Sequence, residues 1–144
     1  MLAIPWPAQI RTGFQGKGWT LGMRRHLAST LVVDSYSGQA VHLLRAANAL
    51  LRRHAQDLRM ESWSALQVNV DTVCPPHRHP GEQRRHAILG LGQYSGGLLH
   101  IASHNPLDLR NSIWSFPGEA EHWSDPFEGQ RISLVFYECE QRHS

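Results

Sequence analysis

"CPPHRHPGEQRRHAILGLGQYSGGLLHI", residues 74–101, sets two histidines one residue apart ahead of a turn and two short apolar runs. On extended backbone, side chains two apart point the same way, so His77 and His79 face one side and can share a metal ion. Chance placement of ten histidines in 144 residues gives roughly 0.7 His-x-His pairs, so the pair needs support from the rest of the chain. The runs that follow decide the fold. HAILGLG and GLLHIA read as strands, the second entered through Gly96-Gly97, and SIWSF and RISLVFYE read as two more. In the last of these, Ile132, Leu134 and Phe136 alternate with Ser133, Val135 and Tyr137; upstream, Leu66, Val68 and Val70 alternate with Gln67, Asn69 and Asp71. Pro80-Gly81, Asn105-Pro106, Pro117-Gly118 and Glu128-Gly129 supply the turns. Many short strands at close spacing predict a sandwich or barrel, with strands over residues 66–70, 87–91, 98–102, 113–116 and 131–137 in two facing sheets.

The N-terminal third differs in pattern. Pro5, Pro7 and a glycine-rich stretch break regular structure, leaving short strands around residues 19–21 and 30–33. "DSYSGQAVHLLRAANALLRRHAQD" is the clearest helix, expected over residues 38–56. Ala40, Val41, Leu43, Leu44, Ala47, Leu50, Leu51 and Ala55 make one apolar face, and Ser35 or Ser37 stands where a cap belongs. That face should cover a sheet. We expect a single domain over residues 1–144, with N-terminal strands and the supporting helix in 1–62 and a β core in 63–140; no repeat or linker marks a second one.

Composition narrows the function classes. Net charge is +2, and Arg24-Arg25, Arg52-Arg53 and Arg84-Arg85 are short pairs, not a basic tract, so a nucleic-acid partner has no support in charge. No apolar run reaches the roughly 20 residues that cross a bilayer, and the opening residues lack the pattern of a signal peptide. A cytoplasmic protein is the expectation. Cys74 and Cys139 are its two cysteines, too few for a disulfide-built scaffold, and they read as reduced thiols.

Three features lift the histidine pair above chance. His122 stands nine residues ahead of Arg131, which opens a strong strand and is followed two residues on by Ser133. Arg131 and Ser133 therefore share a face and offer a bidentate fork and a hydroxyl, a pairing that suits a carboxylate. Asn69 lies on the strand leading towards His77, on the face opposite Val68 and Val70. Two strands within GLGQYSGGLLHI connect the proximal and distal histidines, as a rolled sheet requires.

Residues 66–138 resemble the iron(II)- and 2-oxoglutarate-dependent oxygenases. The resemblance rests on His-x-His at 77–79, the later His122, and Arg131-x-Ser133. It implies a mainly β double-stranded β-helix (jelly-roll, cupin-like) with a supporting helix. It further implies iron(II) on His77 and His122, with His79 as third ligand, and 2-oxoglutarate as cosubstrate held by Arg131 and Ser133 beside Asn69. His79 stands where the family has aspartate or glutamate. A neutral imidazole ligates without offsetting the ion's charge, so iron and doubly charged 2-oxoglutarate would sum to zero instead of minus one. Asp71 and Glu82 are nearby carboxylates, but neither keeps the motif spacing. Two other readings stay open: a cupin-type three-histidine metalloprotein, and a catalytically inactive binding or scaffold domain of the same fold. The substrate, a small molecule or a side chain, and the oligomeric state are not written in the sequence. Arg131 can alternatively pair with Glu119, Glu121 or Glu128. Tyr94, Trp114 and Trp123 read as packing residues, and His86, His100 and His104 as solvent or loop histidines.

Overall fold

A strand that is apolar on both faces needs a cover on each, and a six-residue alternating strand needs a cover on one. The chain meets both demands with three layers. The computed structural model describes residues 16–26, 30–33, 40–79 and 84–138. In chain order its elements are β1 (Lys17–His26), β2 (Thr30–Val33), α1 (Val41–Leu58), β3 (Ala65–Val70), β4 (Arg85–Leu91), β5 (Tyr94–Gly96), β6 (Leu99–Ile101), β7 (Ile113–Pro117), β8 (His122–Ser124), β9 (Phe127–Gly129) and β10 (Ile132–Tyr137). The major sheet runs β2-β1-β3-β10-β4-β7 and is antiparallel throughout.

One face of that sheet carries Leu21, Leu66, Val68, Ala87, Leu89, Leu134 and Phe136, packed with Ala47 and Leu51 of α1. The other face contributes Ile88 and Phe116 to a second core with Leu99, Ile101 and Leu109. β4 is buried along its length because it belongs to both cores. The second layer is made of the ladders β6-β8 and β5-β9. The β6-β8 ladder is widened by bridges from Leu107 to Leu99 and from His77 to His122. The result is one of the sandwich or barrel folds that the strand spacing predicts, and in particular the double-stranded β-helix that the resemblance implied, with its inner face between the two layers.

The helix covers the outer face as expected but starts at Val41 and runs to Leu58. Its cap position is Ala40, which makes no side-chain cap; Ser35 and Ser37 lie outside the described residues. It ends at Arg59 in the left-handed region (φ 58°), with Met60 N–H closing back on Ala55 O at 2.9 Å. Ser115 Oγ donates to Leu58 O at 2.7 Å, satisfying a carbonyl that the helix itself leaves open. The strands expected from sequence are present, and β1 is longer than its expected core. β5, β8 and β9 were not anticipated: each is three residues long and, unlike β6 within the apolar run GLLHIA, lies in no apolar run. Among the described residues no helix is long and apolar enough to cross a membrane.

Candidate metal centre and anion pocket

Pro75 and Pro76 cannot donate to a ladder, so the extended run of β3 gives way before His77 reaches the second layer. There His77 and His122 form a hydrogen-bonded antiparallel pair: His77 N–H donates to His122 O at 3.0 Å and His122 N–H to His77 O at 2.9 Å. Residues paired this way project from the same face. Their rings lie with centroids 4.0 Å apart. His79 N–H donates to Gly118 O at 3.2 Å, which sets the third histidine on the same side. One ligating atom from each of His77, His79 and His122 falls within 4.8 Å of the others. His122 is buried, His77 half-buried and His79 exposed, so the cluster opens outward through His79.

The backbone also sets the tautomer of two rings. His77 Nδ1 lies 2.7 Å from Pro75 O, and His122 Nδ1 lies 2.9 Å from Ala120 O. A carbonyl only accepts, so each Nδ1 carries the proton and each Nε2 keeps its lone pair. This is how a metal-binding imidazole is prepared.

A fourth imidazole stands behind the three. His86, expected as a solvent or loop histidine, lies on the inner face of β4 and is 5% exposed. The error has a plain cause: β4 is covered on both faces, so its polar residue is buried too. The His86 ring packs against Phe116 (5.6 Å between centroids), Tyr137 (5.8 Å) and His79 (5.2 Å). Burial, with the neighbouring imidazoles of His79, His122 and His77 adding to it, lowers its pKa from 6.5 to about 3, so it stays neutral.

Arg131 is 3% exposed, at the entry to β10. Asp71 clamps its backbone: Arg131 N–H donates to Asp71 Oδ1 at 2.9 Å, and Asp71 N–H donates to Arg131 O at 2.8 Å. Asp71, weighed above as a nearby carboxylate for the metal, is thus occupied in fixing the arginine; Glu82 lies outside the described residues. The guanidinium lies over the rings of Tyr94 (5.4 Å) and Phe127 (5.6 Å). Its Nε and Nη1 are buried without a hydrogen-bond partner, and so is Tyr94 Oη. No acceptor of Glu119, Glu121 or Glu128 meets those two nitrogens.

Two glycines leave the space. A Cβ on Gly97 would stand 2.9 Å from Arg131 Nη1, and one on Gly90 would run into Tyr94 Oη. Gly90 pairs across the sheet with Ser133, and Ser133 with Asn69. Tyr94 Oη, Ser133 and Asn69 therefore lie on adjoining positions of one inner surface. Ser133 and Asn69 are both buried, and Gln67 Nε2 donates to Asn69 Oδ1 at 3.2 Å. Burial raises the Tyr94 pKa more than Arg131 lowers it, which keeps the hydroxyl protonated and able to donate.

A buried cation with two unused donors is costly unless an anion meets it. The pocket thus has the charge, the fork and the adjoining hydroxyls that a carboxylate requires. Tyr94, read as a packing residue, both packs and presents a buried hydroxyl; its sequence setting, QYSGG, gives no sign of the second role. His100 is not a solvent histidine either: Nε2 is 2.8 Å from Asp125 Oδ1, and the ring stacks on Trp123. Trp114, opposite Ile88 in the β4-β7 register, is 41% exposed, and its Nε1–H donates to Asp108 O at 3.4 Å. Cys74 is half-buried, and its backbone N–H donates to Ser124 Oγ at 2.8 Å.

No protein-family model and no curated protein matches the sequence. Solved structures do match in fold. An oxidoreductase of the 2OG-Fe(II) oxygenase family from Burkholderia pseudomallei aligns with a TM-score of 0.64 at 15% identity, covering 97% of this chain and 77% of that one. OsALKBH1 aligns with a TM-score of 0.53 at 15% identity, covering 92% of this chain and 83% of that one. At this identity the likeness is one of fold: the chain shares the architecture of both solved structures.

Proposed function

We propose that this protein is a non-haem iron(II) and 2-oxoglutarate-dependent dioxygenase with a three-histidine metal site. His77, His79 and His122 hold the ion. Arg131, with Tyr94 Oη, Ser133 and Asn69 on the adjoining surface, takes the far carboxylate of 2-oxoglutarate. When bound, iron and 2-oxoglutarate supply oxygen activation coupled to decarboxylation of the cosubstrate, at the expense of a C–H bond in a substrate. The chain's own part is placement. Pro75 O and Ala120 O keep two imidazoles in the ligating tautomer, Asp71 fixes the arginine, and the aromatic floor of Tyr94 and Phe127 shields the ion pair from water. Because His79 brings no charge, none of the three histidines offsets the ion's two positive charges, and the dianionic cosubstrate supplies neutralisation.

The observation that carries this reading is the pair of unpartnered donors on buried Arg131. A three-histidine cluster alone fits a cupin-type metalloprotein equally well, and that is the second reading. The anion pocket is what it does not account for. Anaerobic titration with iron(II), followed by 2-oxoglutarate, separates them. Saturable metal binding, then a visible absorption band on adding 2-oxoglutarate, is expected. Arg131→Ala should weaken the second step at least tenfold and spare the first, since about 1.4 kcal/mol, one hydrogen bond to a charged group, is a factor of ten. Metal binding with no cosubstrate response, indifferent to Arg131→Ala, establishes the cupin reading instead. No metal binding in the wild type, regained on His79→Asp, identifies an inactive member of the fold.

A further inference from the structure

The net charge of +2 belongs to the whole chain, and in sequence Arg52-Arg53 is only a short pair. Folding redistributes that charge. α1 turns its apolar side onto the major sheet, and its exposed side carries Arg45, Arg52 and Arg53 with two alanines, a glutamine, a histidine and one acid, Asp57. At roughly 100° per residue, Arg45 and Arg52 lie within about 20° of one line along the helix. Arg59, exposed at the C-cap, follows after the same seven-residue interval, so the three arginines span about 20 Å. Asp57 stands about 140° round the helix from Arg52. Among the described residues none of Arg45, Arg52, Arg53 and Arg59 is in an ion pair. Arg85 continues the positive region: its Nε and Nη2 donate to Ser115, whose hydroxyl donates to Leu58 O, so the guanidinium is held near the helix end.

A partner for this face must be recognised by charge. Protein interfaces are anchored by aromatic and large apolar side chains, and the exposed side of α1 has none. A helix lying on a membrane inserts its apolar side, which here is committed to the sheet. Unpaired nucleic-acid strands are held by aromatic rings on which bases stack, and α1 contains no Phe, Tyr or Trp. A line of unpaired guanidiniums with alanines beside it fits a regular row of phosphates. Each strand of a duplex carries one phosphate per roughly 3.4 Å, so about 20 Å covers about six. We propose that the exposed side of α1 docks the phosphate backbone of a nucleic-acid duplex through Arg45, Arg52, Arg53 and Arg59, without reading its sequence. The face lies on the other side of the major sheet from the histidine cluster, so it tethers the protein and takes no part in the metal site. It stands or falls independently of the metal reading.

The test is fluorescence anisotropy of the full chain with a labelled duplex of about 20 base pairs and arbitrary sequence, titrated with salt. Binding at low salt is expected, with log K falling against log salt at a slope of about −3 to −4, four contacts at roughly 0.9 each. Combining Arg45→Gln with Arg52→Gln should make the slope shallower by about two and weaken low-salt binding at least tenfold. Arg45→Lys with Arg52→Lys, which keeps the charge, should restore most of the slope. Arg110→Gln, an exposed arginine away from this face that is paired with Asp108, should leave the slope unchanged. No duplex binding at low salt, or a slope indifferent to the Arg45 and Arg52 changes, overturns the proposal. So does an equal loss from Arg110→Gln, which marks diffuse charge, or a single strand of the same length bound more tightly than the duplex. Binding to phosphatidylserine vesicles in place of the duplex overturns it in favour of a membrane.

Discussion

At the scale of single residues, the inner face is governed by what stands next to each polar atom. His86 illustrates the cost of burial. An unfolded chain protonates this ring near 6.5, the folded one at about 3. Between those values the unfolded state binds more protons, so the contribution is intact above about pH 6.5 and is lost as pH falls towards 3. In chelator, the wild type should lose about 2 kcal/mol more than His86→Phe between pH 7.5 and pH 5, read from urea midpoints. Gly97 makes a complementary case. Its φ of 68° and the nearness of Arg131 Nη1 both exclude a side chain. Gly97→Ala is expected to cost about 1–2 kcal/mol of stability from the backbone alone. By displacing the guanidinium it should also weaken 2-oxoglutarate binding without touching metal affinity, as calorimetry with each ligand would report. Legibility at this scale was uneven for a physical reason. Strand period groups His77 with His79 and Arg131 with Ser133, because it fixes which side chains share a face, and the family resemblance adds His122, which the structure brings beside the first pair. Tyr94 and His86 do not, since what distinguishes them is burial beside a particular neighbour, which only the closed barrel creates.

At the scale of elements, α1 and β4 show where pattern suffices. Eight apolar positions at helical spacing located the helix to within a few residues, but not its ends. The start has no side-chain cap at Ala40, and the end is made by Arg59 in a conformation that favours glycine. Arg59→Gly should therefore relieve about 1 kcal/mol of left-handed strain. It also removes a positive charge that, after burial, is the second cause lowering the Arg85 pKa. A thermal midpoint raised by roughly 2–4 °C is the expected readout. A lowered midpoint would show that the Arg59 side chain contributes more than its backbone costs. The three-residue strands β5, β8 and β9 were invisible because each is held by its partner strand and not by any period of its own. Two of them nonetheless carry Tyr94 and His122.

At the scale of the whole molecule, the major sheet is a partition with a core on each side, and adjacent residues of β4 belong to different ones. Ala87 looks to the helix, while His86 and Ile88 look to the site. Leu51, fully buried on the helix side, offers a test of how independent the two halves are. Leu51→Ala should cost about 2–5 kcal/mol of stability. Metal affinity per folded molecule should be unchanged, because no atom of the cluster moves; a parallel loss of affinity would show that helix packing sets the site geometry. The bridge between His77 and His122 has a consequence of another kind. It ties together two points about 45 residues apart in the chain, and an ion there adds a bond between side chains to the bond between backbones. Bound metal is in effect a removable crosslink across most of the β core. Metal at one hundred times its dissociation constant should add about 2.7 kcal/mol to stability. Stripping it with chelator should return the segment between the two histidines to faster amide exchange and proteolysis. On the proposed function, a shortage of iron would leave this protein in a looser and more easily degraded form, so that its abundance, as well as the proposed activity, would follow the supply of the metal.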